Sequence, residues 1–172
     1  MLTDADTDFR LRHAIDKLEI QELLSRYCRA VDRLDFEILR DIFDEAATVE
    51  LGKFHKGDVE GFIGVAKTFM GSMERTSHAL ANCIVEIDGD EAGSETYVSA
   101  HHIIDQEGSL FELIVGARYL NRFVRRSDGW RISHHTEVMD WGVHRPFGSW
   151  FADSDDMPKG NRNRADPSYK FI

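Results

Sequence analysis

Positive charge is scarce in this sequence: 21 lysines and arginines stand against 31 aspartates and glutamates, for a formal net charge of −10. A surface of that sign repels phosphate backbones and anionic headgroups, which excludes nucleic acid and charged membrane surfaces as partners. Long apolar runs are also missing; none approaches the roughly 20 residues of a membrane span. The start, MLTDADTDFR, is too acidic and polar for a secretory signal. Cysteine is reduced to Cys28 and Cys83. Two thiols in separate, apolar-patterned segments read as buried and free, in a reducing cytoplasm, with a disulfide as the alternative. Motifs for bound cofactors are absent too. The sequence holds no His-Glu-x-x-His, Cys-x-x-Cys or His-x-His, so no metal is expected. It holds no glycine-rich phosphate loop and no Gly-x-Ser-x-Gly, so neither a nucleotide cofactor nor a serine nucleophile is expected.

What is present is an ordered succession of two periodicities. From about residue 12 to 33, Ile20, Leu23, Leu24, Tyr27 and Val31 recur with helical spacing. A second helix fits 35–43, with Asp35 as N-cap and Phe36, Leu39 and Phe43 inward, and a third fits 57–70. A short strand is expected at Thr48–Leu51. From Thr76 the period changes to two. Asp88-Gly89 marks a hairpin between runs 76–87 and 92–104, and Asp128-Gly129 marks another between 110–125 and 130–140. Helices first and long antiparallel strands after them define an α+β fold. Residues 1–10 read as a frayed or packing arm. The whole of 1–172 reads as one domain, with a core over about 12–140. The tail 141–172 carries Phe147, Trp150, Phe151, Tyr169 and Phe171, enough aromatic surface to pack on a pocket mouth or a neighbouring subunit.

Side chains alternate along a strand, so parity sorts the histidines. Glu95, Tyr97, Ser99 and His101 share one face, and Ser94, Thr96, Val98, Ala100 and His102 the other. His101 and His102 therefore point apart, as do His134 and His135. The remaining candidates for chemistry are Tyr27, Asp32 and His78. A carboxylate beside an imidazole orients the ring and balances the charge it gains as a general base. Each residue alone has a bland reading: Tyr27 as a core aromatic, Asp32 as a solvated helix end, His78 as a structural strand histidine. Tyr27 lies about 140° around an ideal helix from Asp32, so spacing alone does not put them on one face.

The order Ile20-Gln21-Glu22-Leu23, Tyr27, Val31-Asp32, Ser77-His78 and Asp128-Gly129-Trp130-Arg131-Ile132 resembles the SnoaL-like branch of the nuclear transport factor 2-like superfamily. The likeness is nearest to members of the bile-acid dehydratase, scytalone dehydratase and hexachlorocyclohexane dehydrochlorinase types. It implies a cystatin-like cone, a curved antiparallel sheet wrapped around a long N-terminal helix, with an apolar pocket inside. It implies that His78 is a base, that Asp32 orients it, and that Tyr27 stands where the dehydratase type has a catalytic tyrosine. His101 falls near a position where that type has an aspartate, and Arg145 matches loosely a C-terminal arginine. Tyr97 and His101 would be secondary polar contacts of the substrate, with Arg145.

Fold does not decide function in this superfamily. The expected activity is cofactor-independent elimination, most simply dehydration, of a small hydrophobic polycyclic or alicyclic molecule. An isomerase or polyketide cyclase would use the same base. A ligand-binding or assembly domain would use the same cone without chemistry. Apolar residues on both parities of 110–125 call for cover on both faces, so a homodimer or homotrimer is expected.

Overall fold

The computed structural model describes residues 3–148 and 157–172. Helix α1 runs over Asp4–Arg33, α2 over Phe36–Ile42 and α3 over Val59–Gly71. The strands are β1 (Phe43–Glu50), β2 (Lys56–Asp58), β3 (Arg75–Asp88), β4 (Glu91–Gln106), β5 (Ser109–Arg126) and β6 (Gly129–Pro146). They form one sheet in the order β2-β1-β6-β5-β4-β3. All neighbours are antiparallel except β1 and β6, which run parallel. This is the α+β cone expected from the sequence.

Bulges curve the sheet. Register slips between Leu80 and Cys83 on β3, between Gly116 and Ala117 on β5, and between Arg122 and Phe123 on β5. Each extra residue bends and twists the ladder locally. The sheet thereby closes on α1, whose Ile20, Leu24, Tyr27, Ala30 and Val31 are buried against it. A polar clamp sets the helix in place. Arg125 grips both oxygens of Asp16 at 2.6 and 2.7 Å, and the buried Trp130 indole donates to Asp16 Oδ1 at 3.1 Å.

Three expectations change. Residues 4–10 are not a frayed arm but the first turns of α1. Thr3 and Asp6 form a reciprocal capping box, which supplies partners for the free N–H groups of the first turn and starts α1 at Asp4. Strand β6 runs on to Pro146, beyond the 130–140 expected, because β5 offers a partner as far as Phe111. The hairpin at Glu107-Gly108, with φ of 55° and 84°, and the short β2 carried no strong signal in the sequence. Of the aromatic tail, Trp150 and Phe151 lie outside the described residues. Tyr169 lies in a 3-10 turn, Pro167–Lys170, and its hydroxyl donates to Asp35 at 2.7 Å. Asp35 heads α2 but makes no side-chain cap; Tyr169 and Arg164 engage its carboxylate instead. None of the described helices is long and apolar enough to cross a membrane.

Candidate active site

Helix α1 ends at Leu34, whose left-handed φ of 55° turns the chain sharply. That stop leaves Asp32 in the last helical turn, facing β3 and only 8% exposed. Strand β3 presents Thr76 and His78 on its inner face. Asp32 Oδ1 accepts from the Thr76 hydroxyl at 2.8 Å and meets His78 Nδ1 at 2.7 Å, while Oδ2 accepts the His78 backbone N–H at 3.0 Å. The carboxylate can only accept, so Nδ1 carries the proton of this bond, and in the neutral ring Nε2 is the nitrogen with the lone pair. Burial pushes the Asp32 carboxyl up, but the bonds and charge of His78, with Thr76, outweigh it and hold the group below the ordinary aspartate value. The result is an ionised aspartate that fixes one tautomer of one histidine.

His102 is the next neighbour. Its ring lies 5.3 Å from that of His78, edge to face, and its Nδ1 is buried without a partner among the described residues. Burial first, then the charge of His78, pushes it down to about 4, so it is neutral at pH 7. Arg162, from the segment after residue 157, donates from Nε to the Asp32 carbonyl at 3.5 Å and from Nη1 to the Met73 carbonyl. A cavity of about 510 Å³ opens beside this group, lined by Cys28, Arg29, Asp32, His78 and Leu80 and roofed by Ser168. Its volume suits a small organic ligand. Its mouth is more polar than the apolar pocket expected, because Arg29 and Arg33 of α1 border it.

Tyr27 is buried deeper, in an aromatic cluster that fills the cone. Its ring stacks on Phe62 at 6.2 Å and meets Tyr119 at 5.5 Å and His135 at 4.7 Å. No hydrogen bond joins it to Asp32 or His78 among the described residues. Burial, aided by the charge of Glu137, raises its hydroxyl well above the ordinary tyrosine value, so it keeps its proton. Its neighbour His135 donates from Nδ1 to Asn121 Oδ1 at 2.8 Å, and burial pushes the ring down to about 3.

The other three candidates stand elsewhere. Tyr97 and His101 lie on the convex face, Tyr97 about half exposed and His101 bonded to Ser99 at 3.1 Å. Strand alternation decides this: Ala100 and His102 take the inner positions, opposite His78 and Thr76. Arg145 pairs with Glu112 at 2.7 Å on the exposed end of β6, again facing outward. It does not line the cavity, whereas Arg162 reaches the backbone carbonyl of Asp32. Parity alone could have singled out His102. Nothing local marked Arg162, which acts from a loop. Among the described residues no cluster of three or more His, Cys, Asp or Glu side chains is arranged to hold a metal ion.

A helix-wrapped cone with an Asp–His pair at its side defines an α+β protein of the cystatin-like type. The SnoaL-like domain model matches residues 12–136, and the chain belongs to that family. It is 32% identical over 129 residues to an uncharacterized protein of Mycobacterium tuberculosis, and equally to one of Mycobacterium bovis, covering 72% of this chain and 84% of each relative. A hexachlorocyclohexane dehydrochlorinase, LinA type 2, has a similar structure, with a TM-score of 0.73 at 19% identity over 86% of this chain and 99% of that one. So does a protein provisionally described as a scytalone dehydratase from Novosphingobium aromaticivorans, with a TM-score of 0.69 at 18% identity over 84% and 99%. At such identities the likeness is one of fold.

Proposed function

We propose that this protein is a cofactor-independent lyase that eliminates a small group from a hydrophobic alicyclic or polycyclic molecule. The observation that carries the reading is the Asp32–His78 pair, in which both carboxylate oxygens are engaged and Nε2 is left as the free base. His78 would take a proton from carbon. Asp32 would stabilise the imidazolium as it forms, a contribution of roughly 10²–10⁴ in rate. Tyr27, which keeps its proton, would donate to an oxygen that gains negative charge. Dehydration is preferred over isomerisation or cyclisation, which need the same base and return the proton. The test is a screen of hydroxylated steroids, polyketide-like aromatics and halogenated alicyclics, read by mass. Loss of water or hydrogen halide that disappears in His78→Ala supports a lyase. Unchanged mass with altered retention makes it an isomerase or cyclase, and no conversion of any compound rejects an enzyme of this type.

A non-catalytic binding or assembly role is the second reading. It is favoured by the aromatic cluster of Tyr27, Phe43, Phe62 and Tyr119, which fills the cone from within. We further infer a single domain, a cytoplasmic location and a homodimer or homotrimer. Ile84, Tyr97, Trp141 and Val143 leave apolar surface exposed on the convex face, and such patches mark interfaces. Sedimentation at a mass of 19.7 kDa would reject the oligomer.

A further inference from the structure

One carboxyl on the concave face has no part in the dyad. Glu137 lies on β6 two residues after the fully buried His135, and pairs in register with Tyr119 of β5, which is 2% exposed. Residues opposite one another in an antiparallel ladder project to the same side, so Glu137 faces the inside of the cone. It is partly buried and makes no hydrogen bond or ion pair with any described residue. Among the described residues, the groups whose charge couples to it are His78 from β3, Tyr27 from α1 and Tyr119 from β5. Between His78 and Glu137 the floor of the sheet is made of short side chains, Ala100 and Val98 on β4 and Val115 and Ala117 on β5. A base on β3 and an unpartnered carboxyl on β6 thus project to the same inner side of the sheet, with only these short, buried side chains between them. Burial raises the proton affinity of Glu137, and the charge of His78 offsets this only in part.

We propose that Glu137 is the general acid of this site, and that the group eliminated is therefore a hydroxyl on the carbon next to the one that loses its proton. The inference rests on the lyase reading and narrows it. His78 Nε2 takes the proton from carbon, and the C–H electron pair becomes the new C=C bond. The neighbouring C–O bond breaks with its pair going to oxygen, and the Glu137 proton joins that oxygen as water leaves. The substrate loses one water; the imidazolium and the carboxylate then return to their starting states by releasing and taking one proton each from solvent. A halide leaves as a stable anion and has no use for the acid. The other groups in reach serve less well. Tyr27 holds its proton too tightly to give it up readily. His102 and His135, at about 4 and about 3, carry no extra proton at pH 7.

Two measurements test this. Infrared titration of the whole protein, read as wild type minus Glu137→Gln, should show the carbonyl stretch of a protonated carboxyl persisting to higher pH than the roughly 4.3 of free glutamate allows. Its absence overturns the assignment, whatever the activity. Paired hydroxylated and halogenated alicyclic compounds then read the role. Glu137→Gln should slow water loss by roughly 10²–10⁴ and halide loss by less than about threefold. Equal slowing of both, or of neither, overturns the acid role while leaving the lyase reading intact. Failure of wild-type protein to convert any compound in the panel ends the lyase reading, and the acid role with it, even where the infrared band is present.

Discussion

The two faces of the sheet use the same residue types in opposite ways. On the convex face, charges neutralise one another in water. Arg118 forks onto Asp140 at 3.0 Å and reaches Glu95 at 3.4 Å, and Arg145 holds Glu112. On the concave face, Asp32 is held by a histidine and a threonine, Glu137 has no partner among the described residues, and two buried histidines are kept neutral. His101 and His102 are neighbours in the chain and fall one on each side. Desolvation makes the difference. A charge in water is screened and interchangeable; a titratable group out of water answers to one or two neighbours, and its proton becomes available for chemistry.

The largest expected effects test that contrast through activity. In any conversion that the substrate screen uncovers, His78→Ala should remove roughly 10²–10⁴ of turnover, and Asp32→Asn should lower it strongly by releasing the ring from its tautomer. His101→Ala, Tyr97→Phe and Arg145→Ala should each stay within about twofold, as expected of convex-face residues outside the cavity. Steady-state rates on one compound decide; a large loss in His101→Ala with no change in His78→Ala would reverse the roles of the faces.

Stability against pH gives the next effect. His102 and His135 have folded values of about 4 and about 3, below the roughly 6.5 of an unfolded histidine. As pH falls below that value, the unfolded chain binds protons that the folded one refuses, so stability should drop by up to about 1.4 kcal/mol per pH unit per histidine. Asp32 has a depressed value, so its contribution is lost only at lower pH, below the ordinary aspartate range. Glu137 is raised and works the other way, costing stability as pH rises through its folded value. Chemical unfolding at several pH values checks this, and His135→Gln should flatten the profile. A wild-type curve that is level from pH 7 to pH 5 would mean that the histidines are not buried as described.

Smaller effects belong to the convex face and the helix stop. Asp140→Asn should lower the unfolding midpoint only slightly, because its pair with Arg118 lies at the solvent-facing side of the sheet, where an ion pair is worth little. Leu34→Gly should raise stability by up to about 1 kcal/mol, because glycine adopts the left-handed φ of this helix cap without the clash a leucine side chain suffers. Thermal melts read both, and a destabilised Leu34→Gly would show that the partly buried leucine contributes more by packing than it costs in strain.

Periodicity and turn chemistry made much of this protein legible before any coordinates. The 3.6-residue stripe through Ile20, Leu24 and Val31, the alternation after Thr76, and the turns at Asp88-Gly89 and Asp128-Gly129 depend on neighbours a few residues apart. Local sterics and solvation act at that range, so α1, α3 and the long hairpins could be read from the chain. Parity likewise sorted His101 from His102, although only the register with β3 shows that His102 lies beside His78. What tertiary structure alone decided are the long-range meetings: Asp32 with His78 across 46 positions, Arg162 with the end of α1, and Glu137 turned inward opposite Tyr119. Those depend on where the bulges bend the sheet and how far β6 continues, which no short window of sequence contains. Burial then sets which protons these groups keep, because desolvation belongs to the assembled cone and not to any residue in it.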